Sequence, residues 1–259
     1  MTDAFQPRDF PIIEYDPNPR AIIEPARVLP RLDVAEHCVF CFFTKTIDRL
    51  AAAPGSRLVR DMTSVMGSHP LYEVDWAARR LAVFHPGIGG PLAGALMDEV
   101  IAVGCRKFIA CGSAGALSSG LVHGHVLVPT SAVRDEGTSY HYLPPSREVE
   151  PAPEAVAAIE AVLRERGIEH TLGKTWTTDA FYRETPARAA RRRAEGCLVV
   201  EMEAAAFFAV ARFRGVPFGQ LLYAADDVSG PEWDSRRGFS KEQIHETLFA
   251  LAAEACLRL

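Results

Sequence analysis

The chain has 259 residues, 48% hydrophobic and 24% charged, with Gly and Pro scattered rather than clustered. That is the composition of an ordinary globular protein, long enough for one large α/β domain or two small ones. A formal net charge of −5 disfavours a nucleic-acid backbone as partner, no apolar run approaches the ~20 residues that cross a bilayer, and six cysteines are too few for a disulfide scaffold.

In chain order, residues 1–16 are rich in acids and prolines and lack the apolar stretch of a signal peptide, so a cytoplasmic location is expected. Residues 1–20 read as an extension ahead of a domain at 21–259. Short apolar runs at 21–23, 38–43, 81–84, 107–111, 126–128, 197–200 and 218–223 read as strands. Most are continuous rather than alternating, as expected of strands covered on both faces. Amphipathic stretches at 91–103, 153–166, 185–194 and 203–214 read as helices. A last helix at 240–259 opens with Ser240 and Gln243 in capping-box spacing. The Cys38/Cys41 pair lies inside an apolar strand with no second pair to complete a metal site, so it reads as core. The basic run Arg188, Arg191, Arg192, Arg193 reads as a solvated helix face. Strands alternating with helices, without a linker or repeat, predict a single three-layer α/β/α domain around a twisted central sheet.

Four short constellations carry the chemistry. Gly112-Ser-Ala-Gly115 follows a strand, as does Gly87-Ile-Gly-Gly90. Glycine turns there let backbone N–H groups approach an anion, with the Ser113 hydroxyl as a further donor, although taken alone a plain tight turn is the preferred reading. Glu201-Met202-Glu203 sits at a strand-to-helix junction. A carboxylate there either complements the helix dipole or accepts hydrogen bonds from a pair of sugar hydroxyls, with Met202 as an apolar wall. Asp226 and Asp227 end a strand; a carboxyl there serves as a general acid or as a turn cap. Phe181 and Tyr182 form either an aromatic platform for a planar base or part of the core.

In this order and spacing the segments resemble the nucleoside phosphorylase family that includes hexameric bacterial purine nucleoside phosphorylases, uridine phosphorylases and methylthioadenosine nucleosidases. The resemblance runs from about residue 21 to the end. It is densest at 87–90 with 112–142, at 177–182 and at 200–227. It implies an α/β/α fold whose twisted mixed sheet partly closes like a barrel. It also implies cleavage of an N-glycosidic bond, through a cationic sugar, with inorganic phosphate as co-substrate and neither cofactor nor metal. By this resemblance Glu203, with Met202 and Glu201, would bind the ribose, and Phe181 with Tyr182 would stack on the base. Ser113, Gly112 and Arg27 would bind phosphate. Counting without a gap from Glu203 makes Asp226 the acid that protonates the leaving base, with Asp227 the alternative.

The chain departs from the family mildly at Ala225-Asp226, where the family has Ser-Asp, and in three further places. Ala110 stands where phosphorylases carry an arginine. The Gly-Asp-Pro-x-Arg loop appears as Ile23-Glu-Pro-Ala-Arg27, and the uracil-reading glutamine and arginine are replaced by Thr185 and Ala187, with Arg183 and Arg188 nearby. The expectation is a nucleoside phosphorylase that prefers purine over uridine. The alternatives are a nucleosidase using Glu24 as the base for water, and a non-catalytic nucleoside-binding protein. A homo-oligomer, dimer or hexamer, is expected, with nucleoside and phosphate as the only other partners.

Overall fold

The computed structural model describes residue 5 and residues 7–65, 67–238 and 240–259, so the first four residues of the 1–16 stretch and Gln6 lie outside the described residues. In chain order the elements are α1 (Pro25–Val28), β1 (His37–Cys41), α2 (Thr44–Ala51), β2 (Arg57–Asp61), β3 (Pro70–Trp76), β4 (Arg79–Phe84), α3 (Gly90–Val103), β5 (Lys107–Ala116), β6 (Val126–Asp135), β7 (Glu148–Val149), α4 (Pro153–Glu165), β8 (His170–Thr178), α5 (Pro186–Ala194), β9 (Cys197–Glu201), α6 (Ala204–Arg214), β10 (Phe218–Asp227) and α7 (Glu242–Cys256).

The strands form one mixed sheet in the order β10-β6-β8-β9-β5-β1-β4-β3-β2, and β10 also pairs with β5. That second pairing closes β5, β10, β6, β8 and β9 into a ring, and the other strands continue from it as an open wing. The expected three-layer α/β/α domain with a twisted, partly closed sheet is therefore present. Helices α2, α4 and α7 cover one face through a cluster that includes Val39, Ile109, Leu221 and Phe249. Helices α3 and α6 cover the other through Phe40, Phe84, Phe108, Phe207 and Phe218. A third cluster, built from Ala114, Leu127, Val199 and Leu222, draws on four of the five ring strands. Burying apolar side chains on both sheet faces explains why the strands read as continuous runs. Cys38 and Cys41 are fully buried in β1 and free, as read from the sequence.

Four expectations are corrected. Residues 21–23 are not a strand: they are exposed, flanked by Pro19 and Pro25, and have no neighbouring strand to pair with. The capping box at Ser240 does not form. The last helix starts at Glu242 without a side-chain cap, and Gln243 Nε2 instead donates to Thr247 Oγ1 at 3.3 Å. Arg192 is not on a solvated face: it is buried and paired with Asp135 at 2.8 Å and Glu195 at 3.0 Å. Finally, Gly112–Gly115 is not a turn, because β5 runs through it to Ala116 in register with β10 and β9. Its glycines serve close packing instead: a Cβ at Gly112 would lie 3.0 Å from the Phe42 ring.

Candidate active site

The carboxyl ends of β5, β9 and β10 meet where the ring closes, and Ser113, Glu201–Glu203 and Asp226–Asp227 lie on or next to these ends. At the end of β9 the chain switches to α6 within two residues. Glu201 is buried there, and both of its oxygens are engaged by the protein. Oε1 accepts from Thr177 Oγ1 at 2.6 Å and Thr175 Oγ1 at 3.2 Å, and Oε2 accepts from the N–H groups of Glu203 at 2.7 Å and Ala204 at 2.6 Å. Burial raises its pKa and these four bonds oppose the rise. Glu201 therefore tethers the start of α6 to β8 and has no lone pair turned to a ligand.

Glu203, two residues on, is as buried but differently bonded. Its Oε1 accepts the Gly89 N–H at 2.6 Å, the Met202 backbone N–H also reaches the carboxyl, and no described side chain donates to it. Gly89 has φ +88°, a conformation open to glycine that turns its amide toward the carboxylate. Burial first, and the nearby Glu201 second, push the Glu203 pKa up to about 8. Met202 is half-buried between the two acids.

Beside them, Ser113 is exposed on β5 opposite Tyr223. The residues that follow β1 at this point are Phe42 and Phe43. Phe42 lies against Gly112 and against His85 (ring centroids 5.8 Å apart). His85 Nδ1 accepts from the Gly87 N–H at 3.1 Å, and burial lowers the imidazole pKa, which keeps the ring neutral with a proton left on Nε2. Ala110 is fully buried in the aromatic cluster beneath. An arginine at this position would bury an unpaired charge among Phe40, Phe108 and Phe207. Ala110→Arg is accordingly expected to lower Tm by about 10 °C or more instead of restoring an anion contact; a thermal melt at unchanged or higher Tm would show that the cluster has room.

At the end of β10 a bulge at Ala225 brings Asp226 opposite Gly115 and Asp227 opposite Ala116. The two neighbours then part. Asp227 Oδ1 accepts from the Ser229 N–H at 2.7 Å and Oδ2 pairs with Arg236 at 2.9 Å. Burial raises the Asp227 pKa, but Ser229 and Arg236 together carry it below the usual value. Asp227 thus fastens the loop that follows, whose backbone closes through Asp227 and Asp234. Asp226 accepts the Trp233 indole N–H at 2.7 Å on Oδ2, leaving Oδ1 without a donor. Phe181 and Tyr182, in a short turn after β8, stack on each other at 4.1 Å and are 51% and 88% exposed, so they are an open platform rather than core.

Arg27 is exposed on α1, which packs against α3; no hydrogen bond or ion pair joins it to Gly112 or Ser113. Glu24 accepts the Ala21 N–H at 2.6 Å and faces Arg214 at 3.5 Å. It lines a cavity of about 640 Å³ under the N-terminal arm, whose walls include neither Ser113, Glu203 nor Asp226.

The sequence profile of the Phosphorylase superfamily matches residues 38–258. The chain belongs to that superfamily. A guanosine phosphorylase of Halorubrum lacusprofundi is 32% identical over 141 residues, 54% of this chain and 58% of that protein. A uridine phosphorylase of Treponema pallidum is 29% identical over 178 residues, 64% of this chain and 67% of that one. Among solved structures, an AMP nucleosidase from Bacteroides thetaiotaomicron superposes with TM-score 0.70 at 22% identity, over 87% of this chain and 89% of that one. A purine nucleoside phosphorylase from Toxoplasma gondii superposes with TM-score 0.74 at 20% identity, over 87% and 92%. These two share the fold.

The superfamily match contains every strand end just described and leaves Arg27 and Glu24 outside it. Sequence reasoning missed Phe42, His85, Gly89, Trp233 and Glu184. Gly89 was legible as a glycine turn but not as the donor to Glu203. Trp233 and Glu184 carry no local motif; only the fold brings them to Asp226.

Proposed function

We propose that this superfamily member cleaves the N-glycosidic bond of a ribonucleoside with phosphate, releasing the base and ribose 1-phosphate, with purine preferred over uridine. The observation that carries the reading is the contrast between two buried glutamates. Glu201 has spent both oxygens on four donors of the protein, whereas Glu203 is held by main-chain N–H groups alone and no described side chain engages it. A preorganised carboxylate of this kind accepts the sugar hydroxyls and stabilises positive charge growing at C1′. Asp226 Oδ1 faces the leaving base and protonates a ring nitrogen, and the Phe181/Tyr182 platform stacks on it. Ser113 Oγ and His85 Nε2 supply neutral donors to phosphate. Base release from purine and pyrimidine nucleosides, with and without phosphate, tests the reading. The expected result is purine release that rises over the millimolar phosphate range and yields ribose 1-phosphate; no release from any nucleoside would sink it.

One observation favours hydrolysis as the second reading. Phe42 and buried Ala110 stand beside the Gly112/Ser113 strand end, and a phosphate site without a guanidinium loses a strong bidentate contact. Free ribose formed at a rate indifferent to phosphate would establish it. In the phosphorolytic reading Arg27, on the N-terminal arm, contributes the cation, and Arg27→Ala is expected to raise the phosphate KM; an unchanged KM removes it from the site.

We further propose a homo-oligomer, a dimer or a hexamer. The N-terminal arm exposes Phe10, Ile22, Ile23 and Val28 at 69%, 102%, 76% and 66%, an apolar surface that a second copy would cover. Light scattering at assay concentration is expected to give at least twice the 28.3 kDa chain mass; an active monomer would defeat the proposal.

A further inference from the structure

Glu184 follows the Phe181/Tyr182 platform and is half-buried, yet no described residue hydrogen-bonds its carboxyl. It lines a cavity of about 300 Å³ together with Trp233, the residue that holds Asp226 by its Oδ2. The other charged groups of that cavity are Arg193 on α5, which donates to the Ser229 carbonyl at 3.4 Å, and Glu232 in the loop. Tyr223, three residues before Asp226 on β10, also feels the Asp226 charge, and its hydroxyl is bonded to His245 at 3.0 Å. Trp233 thus stands between a carboxyl it holds, that of Asp226, and the cavity that Glu184 lines without a hydrogen-bond partner among the described residues.

We propose that Glu184 is the proton reservoir of this site: it shares one proton with Asp226 and passes it through that carboxylate to the departing base. The inference rests on the N-glycosidic reading given above. The C1′–N bond breaks with its electron pair moving onto the base. The shared proton, resting on Glu184, passes to Asp226 Oδ1 and from there to a nitrogen of the base's imidazole ring, leaving both carboxyls ionised. An oxygen of phosphate forms the new bond to C1′. Glu184 and Asp226 then hold one proton fewer between them and regain it from water through the exposed mouth of the cavity.

The electrostatics agree with this placement. Burial first, and the charge of Asp226 second, push the Glu184 pKa up to about 7. An unperturbed glutamate would have lost its proton some three units lower, at about 4.3, so Glu184 alone would have nothing to give at neutral pH without this neighbour and this burial.

Two measurements test the proposal. The first follows the Glu184 side-chain carbon by NMR across pH, assigned by difference against Glu184→Gln. The midpoint is expected near neutrality in the wild-type chain and about one unit or more lower in Asp226→Asn. An ordinary carboxylate midpoint, or one indifferent to Asp226→Asn, overturns the proposal. The second compares a purine ribonucleoside with 4-nitrophenyl β-riboside, whose leaving group departs without protonation. Glu184→Gln is expected to lose roughly 10²-fold in kcat on the purine substrate, to lose the alkaline limb of its pH profile, and to keep the nitrophenyl reaction. Glu184→Asp is expected to recover part of the purine rate. Equal losses on both substrates, or an unchanged purine profile, overturn it. If the wild-type protein turns over neither substrate, the N-glycosidic reading fails, and the NMR midpoint still decides whether the carboxyl pair exists.

Discussion

Asp226→Asn is expected to lose on the order of 10²–10⁴ in kcat for purine ribonucleosides while remaining folded. The fold survives because the amide oxygen still accepts from the Trp233 indole that now reaches Oδ2 at 2.7 Å. The chemistry suffers because an amide cannot release a proton to the base. The adjacent Asp227→Asn should behave in the opposite way. It removes the negative charge that pairs with Arg236, a half-buried guanidinium that also donates to the Leu121 carbonyl at 2.9 Å. The closing of the 228–233 loop should weaken, and stability should fall by about 1–3 kcal/mol. Turnover should fall less than tenfold by this estimate, because Asp227 has no oxygen free for substrate. Paired kinetics and denaturant melts on the two variants distinguish them. If Asp227→Asn is the crippled enzyme and Asp226→Asn is not, the proton donor has been placed one residue out.

How much of this was readable before folding depends on whether a residue's partners are local. The Val200-Glu-Met-Glu junction was legible because a strand turning into a helix there shows in the hydrophobic pattern. The different fates of Glu201 and Glu203 were not, since they are set by Thr175 and Thr177 on one side and by Gly89 on the other. The same threonines explain why β8 went unread. His170–Thr178 is polar by composition, yet Thr175, Trp176, Thr177 and Thr178 are all buried, two of the hydroxyls serving the Glu201 carboxylate. A strand that buries polar groups around an acid looks like a loop to any count of apolar residues. Similarly, β3 carries buried Glu73, held by Arg57 and Arg80 from β2 and β4. Glycine misled in the other direction. Gly112 and Gly115 read as a turn because glycine permits one, but here the lack of a side chain lets Phe42 and Val200 close on an extended strand.

Glu203→Ala is expected to cut kcat/KM for ribonucleosides by about 10² or more, since hydrogen bonds to a charged group contribute roughly 1.5–3 kcal/mol each. The Gly89 amide loses its acceptor in the same variant, so Glu203→Gln is the better control: its carbonyl still accepts from Gly89, but no negative charge opposes the cationic sugar. A loss in Glu203→Gln close to that in Glu203→Ala would show that charge, rather than loop position, is what matters. The pH dependence follows with a definite sign. Burial and Glu201 raise the Glu203 pKa to about 8, so at neutral pH the free chain holds Glu203 mostly protonated and kcat/KM climbs as the proton leaves. Glu184, raised to about 7, must keep its proton for the opposite reason. The reactive form therefore carries the proton on the group with the lower pKa and is a minority species at every pH. kcat/KM should trace a narrow bell between neutrality and mild alkalinity. Removing the acid by Glu184→Gln should abolish the alkaline fall and move the remaining rise up toward the Glu203 value. A bell that is unmoved by Glu184→Gln and centred near pH 5 would show that neither carboxyl titrates where burial places it.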